Sequence, residues 1–205
     1  MRSALAATAA TVLLLAGCAG DDEIATQDRL TAQSVEPPFT LTDTSLTDTE
    51  GEPFSLTADT GKPLTLVFFG YTHCPDICQL VMSSLSSAMT RLDEADRERV
   101  DVVFVTTDPS RDDPETLRSY LDRLDPGFIG LTGRLAEIVA VAKEVGVFVA
   151  DGEELASGGF DLGAHGSQII ALNGDDVAPY YWRDDTSAEQ FADDIHQILA
   201  EEGNA

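Results

Sequence analysis

The chain has 205 residues, enough for one domain with a full core, and 43% of them are hydrophobic, which excludes a disordered polymer. Its 37 acidic residues oppose 12 basic ones for a formal charge of −25; carboxylates scattered this way read as a solvated surface that salt would screen, and exclude nucleic acid and anionic headgroups as partners. The 3 cysteines, Cys18, Cys74 and Cys78, are too few for a disulfide scaffold.

Met1-Arg2 carries one positive charge, an apolar run follows, and Leu15-Ala16-Gly17-Cys18 closes it. That is the pattern of an export signal, too short for a stable spanning helix. A cysteine directly after Leu-Ala-Gly resembles the lipobox of bacterial-type lipoproteins; the alternative is a plain secreted protein. The resemblance implies a signal peptide over 1–17 and a lipidated Cys18, anchored to the outer face of the cell membrane in an oxidising compartment. Residues 18–38 are polar and aperiodic and are expected to form a tether, with one domain over 39–205.

The domain opens with alternating apolar and polar residues on either side of Glu50-Gly51, the pattern of a hairpin. Leu64 to Phe69 is a buried strand ended by Gly70. A helix is expected from about Asp76 to Leu92, with Val81, Leu85, Ala88 and Leu92 on its apolar face. A second buried strand spans Val100 to Thr107. Pro114 opens the next helix, Phe128 to Gly133 is a short extended stretch, and a further helix runs from Arg134 to a stop near Gly146. Strands follow at 148–150 and in 165–173, a turn at Asn173-Gly174, a returning strand at 177–182, and a last helix from Ser187 to Ala200. This order predicts an α/β three-layer fold with right-handed parallel crossovers and a terminal hairpin and helix. Chemistry in such sheets lies beyond the carboxyl ends of the strands, where Gly70 to Cys78 falls.

Within that stretch Pro75 suits the first turn of a helix, which puts Cys74 at the entrance and Cys78 one turn in. Four helical steps rise about 6 Å, within reach of a disulfide, and equally allow two thiolates to converge on one ion. A helix N-terminus favours thiolate over thiol. The spacing alone leaves a redox pair, a structural disulfide and a metal clamp open. Of the 3 histidines, His196 reads as a surface residue of the last helix, His73 adjoins Cys74 and could tune its thiolate, and His165 stands at the mouth of a strand after a Gly-rich loop.

Taken together, "GYTHCPDIC", then "VTTDPSRDDPETL", then a late histidine before a strand and hairpin, resemble the Sco (SenC) family over about Phe39 to Ala200. The resemblance implies a thioredoxin-like fold and copper, as Cu(I) or Cu(II), held by Cys74, Cys78 and His165. It implies a metallochaperone rather than a turnover enzyme, one that matures the binuclear copper A site of cytochrome c oxidase. Its partners would be the copper-bearing oxidase subunit, a thiol reductant such as a thioredoxin-like protein, and a copper donor chaperone. Asp108 and Arg111 match the family's Asp-Pro-x-Arg-Asp loop and are expected beside the site. Two positions depart from the family: Gln79 replaces a usual proline, and Ala164 replaces the usual acidic residue before the histidine. Neither removes a ligand. Two thiolates and one imidazole make a soft, low-coordinate donor set, whereas structural zinc asks for a fourth ligand. The competing readings are an exported thiol–disulfide oxidoreductase, which has no need of His165, and a peroxiredoxin-like peroxidase, disfavoured because the first cysteine lacks a Thr-x-x-Cys context.

Overall fold

A computed structural model describes residues 30–150 and 165–202 of the chain. In chain order its elements are β1 (Gln33–Thr40), β2 (Ser45–Thr47), β3 (Pro53–Ser55), β4 (Leu64–Gly70), α1 (Ile77–Arg91), α2 (Glu94–Arg97), β5 (Val100–Thr106), α3 (Pro114–Leu121), β6 (Ile129–Leu131), α4 (Leu135–Glu144), β7 (Ile169–Asn173), β8 (Val177–Trp182) and α5 (Ala188–Glu202). Cys18, expected as the lipidation site, and residues 151–164 lie outside the described residues.

The uninterrupted apolar run of β4 dictates the plan. A strand buried at every position must have neighbours on both sides and cover on both faces, and β4 lies inside a six-stranded sheet of order β1-β8-β7-β4-β5-β6. It pairs parallel with β5 and antiparallel with β7. Side chains alternate between the faces. Leu64, Leu66 and Phe68 pack with Val81, Met82 and Leu85 of α1, Leu117 of α3, and Phe191 and Ile195 of α5. Val67 and Phe69 meet Ile138, Val141 and Ala142 of α4 on the opposite face. Phe68 and Phe69 are both fully buried, each contributing about 2–3 kcal/mol of apolar transfer. This is the expected α/β three-layer, thioredoxin-like arrangement.

Local chemistry sets most boundaries as expected. Asp113 caps α3 by accepting from the Thr116 amide, with Pro114 in the first turn. Gly146 ends α4 at φ +69°, and a Cβ there would meet the Phe39 ring at 2.6 Å, so the glycine both allows the left-handed turn and seats β1 on α4. The hairpin β2–β3 turns at Asp48, whose Oδ1 accepts from the amides of Glu50 and Glu52.

Four features differ from the sequence reading. The segment expected as tether to residue 38 is sheet from Gln33 onward, where β1 pairs antiparallel with β8. It is a mostly exposed edge strand with prolines at 37 and 38 and a register shift between Ser34 and Phe39, so it carries no apolar alternation to betray it. The short helix α2, capped by Asp93, had no expectation. The turn after β7 is longer than a two-residue Asn-Gly turn: Asn173 Oδ1 accepts from the amides of Asp175 and Val177, and the positive φ falls on Asp176. At 148–150 there is a single antiparallel bridge, Val149 with His165, and the strand proper begins at Ile169.

Asp194 of α5 locks the N-terminal edge in place. Its carboxylate is 5% exposed and accepts from the amides of Thr31 (3.0 Å) and Ala32 (2.7 Å) and from Trp182 Nε1 (2.7 Å). Asp194→Ala leaves those donors unpaired beside the core, and should lower unfolding stability in urea by about 3 kcal/mol.

Candidate redox and metal-binding centre

The segment Tyr71–Asp76 leaves the end of β4 and enters α1. The helix begins at Ile77, with Asp76 as N-cap, and so excludes Cys74. The residue before a proline is driven out of the helical region. Cys74 instead closes a turn, its amide donating to the Tyr71 carbonyl at 3.2 Å, while Cys78 lies in the first turn of α1. The two cysteines are therefore brought together by a turn docked on a helix mouth, not by one helical turn.

Asp76 makes no side-chain cap. The amides of Asp76 and Cys78 point instead at the Cys74 sulfur, which serves as the acceptor at the helix entrance. Burial opposes charge on Cys74. Those amides, the Cys78 thiol and the Tyr71 hydroxyl outweigh it and hold the Cys74 thiol below its ordinary range. Cys78 is fully buried, and burial, then the adjacent Cys74 sulfur, push its thiol up to about 12. Both cysteines are unbridged. Gly70 makes room for this: a Cβ there would lie 3.0 Å from Cys78 Sγ and 3.1 Å from the rings of Phe68 and Phe104.

His165 is half-buried at the same end of the sheet. Its Nδ1 is 3.0 Å from the Gly166 carbonyl, which can only accept, so Nδ1 carries the proton and the neutral ring keeps its lone pair on Nε2. The backbone is pinned by the bridge to Val149 and by Gly166 N–H donating to Phe148 O at 2.7 Å. The imidazole meets the ring of Tyr71 edge-on, centroids 5.8 Å apart. Tyr71 thus touches both the Cys74 sulfur and His165. Burial, then the Cys74 sulfur, raises its own hydroxyl's pKa. Among the described residues no three His, Cys, Asp or Glu side chains stand close enough together to hold a metal ion; the two sulfurs are in contact, and the imidazole meets the Tyr71 ring that also touches Cys74.

The remaining sequence candidates are placed as follows. Asp108 is 4% exposed, pairs with Arg111 Nε and accepts from Ser110 Oγ at 2.6 Å, closing its own turn; Arg111 reaches far enough to act on the Tyr71 hydroxyl. His73 is mostly exposed, shares a hydrogen bond with Thr72 Oγ1 at 2.9 Å and faces Asp112 at 3.7 Å. His196 is exposed as expected and also pairs with Asp96 across to α2. Gln79, the first family departure, turns to solvent and bonds Ser83, away from the sulfurs. Sequence reasoning missed Tyr71, Tyr120 and Asp112. Tyr120 is buried close enough to the two sulfurs for their charge, after burial itself, to raise its pKa. The signal that could have found Asp112 is its place directly after Arg111 in a strand-end loop.

The fold is thioredoxin-like, and it presents two unbridged cysteines and a histidine at one end of the sheet. The profile of the SCO1/SenC family matches residues 27–200, and the chain belongs to that family. It is 32% identical over 159 residues to the mouse protein SCO2 homolog, mitochondrial, a match covering 77% of this chain and 62% of that one. The structure of Bradyrhizobium japonicum ScoI with copper bound superimposes with a TM-score of 0.65 at 31% identity, over 79% of this chain and 98% of that one. The solution structure of apo Sco1 from Thermus thermophilus gives a TM-score of 0.72 at 26% identity, over 86% and 99%. The matched stretches span 36%, 62% and 50% of the yeast, mouse and Stutzerimonas stutzeri relatives.

The two thiols should separate on alkylation. Reduced protein treated with iodoacetamide at pH 7 to 8 should be modified at Cys74 and spared at Cys78, read by peptide mass. The rate at Cys74 should rise through a midpoint below the ordinary cysteine value of about 8.5. Equal modification of both would contradict the environments described.

Proposed function

We propose that this protein binds one copper ion through Cys74, Cys78 and His165 and carries it as cargo to the copper A site of cytochrome c oxidase. The observation that carries the reading is two sulfurs in contact beside Tyr71 and, edge-on to the same Tyr71 ring, an imidazole whose Nδ1 bond leaves Nε2 to coordinate. Soft thiolates with an imidazole suit copper, and when bound the ion is the transferred cargo. Family membership and the copper-bound ScoI relative support it. The large apolar side chains exposed among the described residues also fit a partner docking here: Leu80 is two residues beyond Cys78, and Phe148 holds the backbone next to His165. A lipid on Cys18 would keep the domain at the membrane bearing its client; among the described residues no helix is long and apolar enough to cross one.

The test is titration of the reduced chain with each copper state. One ion should bind, and Cu(II) should give intense thiolate charge-transfer absorption. Cys74→Ser or Cys78→Ser should abolish stable binding. His165→Ala should weaken Cu(II) by more than about tenfold while sparing Cu(I), which two thiolates hold in linear geometry. Unchanged affinity for both states in His165→Ala would overturn the ligand set.

The second reading is a thiol–disulfide oxidoreductase acting on client cysteines, favoured by the pairing of a half-exposed Cys74 with a buried Cys78, an accessible attacker with a shielded resolver. If it is the main role, His165→Ala should still support oxidase assembly in cells while binding copper poorly. Membrane attachment is checked separately: Cys18→Ala should release the protein from the membrane fraction or leave it unprocessed.

A further inference from the structure

We propose that Asp112 is the positioning residue of the thiol pair, holding the turn that carries Cys74 at bridging distance from Cys78. This inference rests on the reading of Cys74 and Cys78 as the working pair.

Asp112 is fully buried, and its carboxylate ties two pieces of chain together. Oδ2 accepts from the Thr72 amide at 2.9 Å and from Thr106 Oγ1 at 2.7 Å, and Oδ1 accepts from Thr72 Oγ1 at 2.6 Å. One side of this clamp is rigid. Thr106 ends β5 and also accepts the Asp108 amide, and the Asp112 amide donates to Asp108 O, so the 108–112 turn is fixed to the sheet. The other side is the irregular segment between β4 and α1, where Thr72 is gripped at both its backbone and its side chain. No lysine or arginine among the described residues pairs with Asp112; His73 is the neighbouring cation when protonated. A buried carboxylate without a cation is costly, and the bonds to Thr72 and Thr106 are what offset that cost.

Cys78 needs no such clamp, being fixed by α1 and packed against Gly70. Cys74 does. Two residues after Thr72, it is held by the turn bond to Tyr71 and the helix-mouth amides, and this turn is placed on the sheet by Thr72 and Asp112. Releasing the clamp lets the turn drift, and the effective concentration of one thiol at the other falls.

The experiment measures the equilibrium of the full chain with glutathione. Reduced protein and oxidised glutathione exchange: the glutathione S–S bond breaks, the Cys74–Cys78 bond forms, and the two thiol protons pass to two reduced glutathiones. Asp112→Ala should shift this equilibrium toward the dithiol by about tenfold, equivalent to about 30 mV. Thr72→Ala should do the same, and the double variant should add little more, as expected of two halves of one contact. Asp112→Asn should stay within about threefold of the parent, because its amide oxygen replaces Oδ2 and the Thr72 hydroxyl can rotate to accept from its amide group. Asp194→Ala, destabilised but remote, should leave the equilibrium unchanged. Should Asp112→Ala fail to fold, Thr72→Ala decides. Unchanged equilibria in Thr72→Ala, or in a folded Asp112→Ala that merely loses urea stability, overturn the proposal alone. A parent chain that never forms the disulfide overturns it together with the thiol-pair reading.

Discussion

The site exists because of the register at the carboxyl end of β4. Parallel pairing sets Gly70 opposite Thr106, and antiparallel pairing sets Phe68 opposite Ile169. Three loops that are distant in sequence therefore leave or enter the sheet at one edge: the cysteine turn, the 107–112 turn and the segment beginning at His165. Thr107 seals the first two, its amide donating to Gly70 O at 2.6 Å. A slip of one residue would turn the apolar set of β4 to the wrong faces and separate these loops, so the packing of Phe68 and Phe69 on opposite helical layers is also what assembles the chemistry.

Electrostatics at this edge come from backbone more than from charged side chains. The protein carries a large excess of carboxylate, yet the groups aimed at the Cys74 sulfur are amides at the mouth of α1 and a tyrosine hydroxyl. Oriented amides favour charge on sulfur locally while distant surface carboxylates are screened. Cys78, a few residues on, belongs to the same apolar cluster as Met82, Leu85 and Phe68, and there burial outweighs the backbone amides that act on its sulfur. Two identical side chains thus differ because one caps a helix and the other lines a core.

Much of the fold was legible from apolar periodicity alone. The uniform runs at 64–70 and 100–106 could only be central strands, and the spacing of Val81, Leu85 and Ala88, or of Phe191, Ile195 and Leu199, could only be helical faces. β1 escaped because an exposed edge strand with two prolines has no buried face to write into the sequence. At the site, Cys74, Cys78 and His165 were legible as residue types, and their placement at strand ends followed from topology. The contacts among them were not. Asp112 grips Thr72 across 40 positions and Tyr71 meets His165 across 94, and no local pattern encodes such pairings. The start of α1 was legible to within a residue; what the spacing from 74 to 78 did not reveal is that Cys74, standing before a proline, lies outside the helix in the turn that precedes it.

On the proposed reading, one sulfur contact serves two chemistries that exclude each other. A disulfide commits both sulfurs to one another and leaves no thiolate to coordinate, whereas coordination by both sulfurs requires two reduced thiols. The reducing system of the compartment would then decide whether a metal site exists at all. His165 takes no part in the bridge, and in the dithiol form it is held by the bridge to Val149 and by the Gly166 carbonyl. On the same reading, reduction of the pair would restore the two thiolates that His165 would join as third ligand.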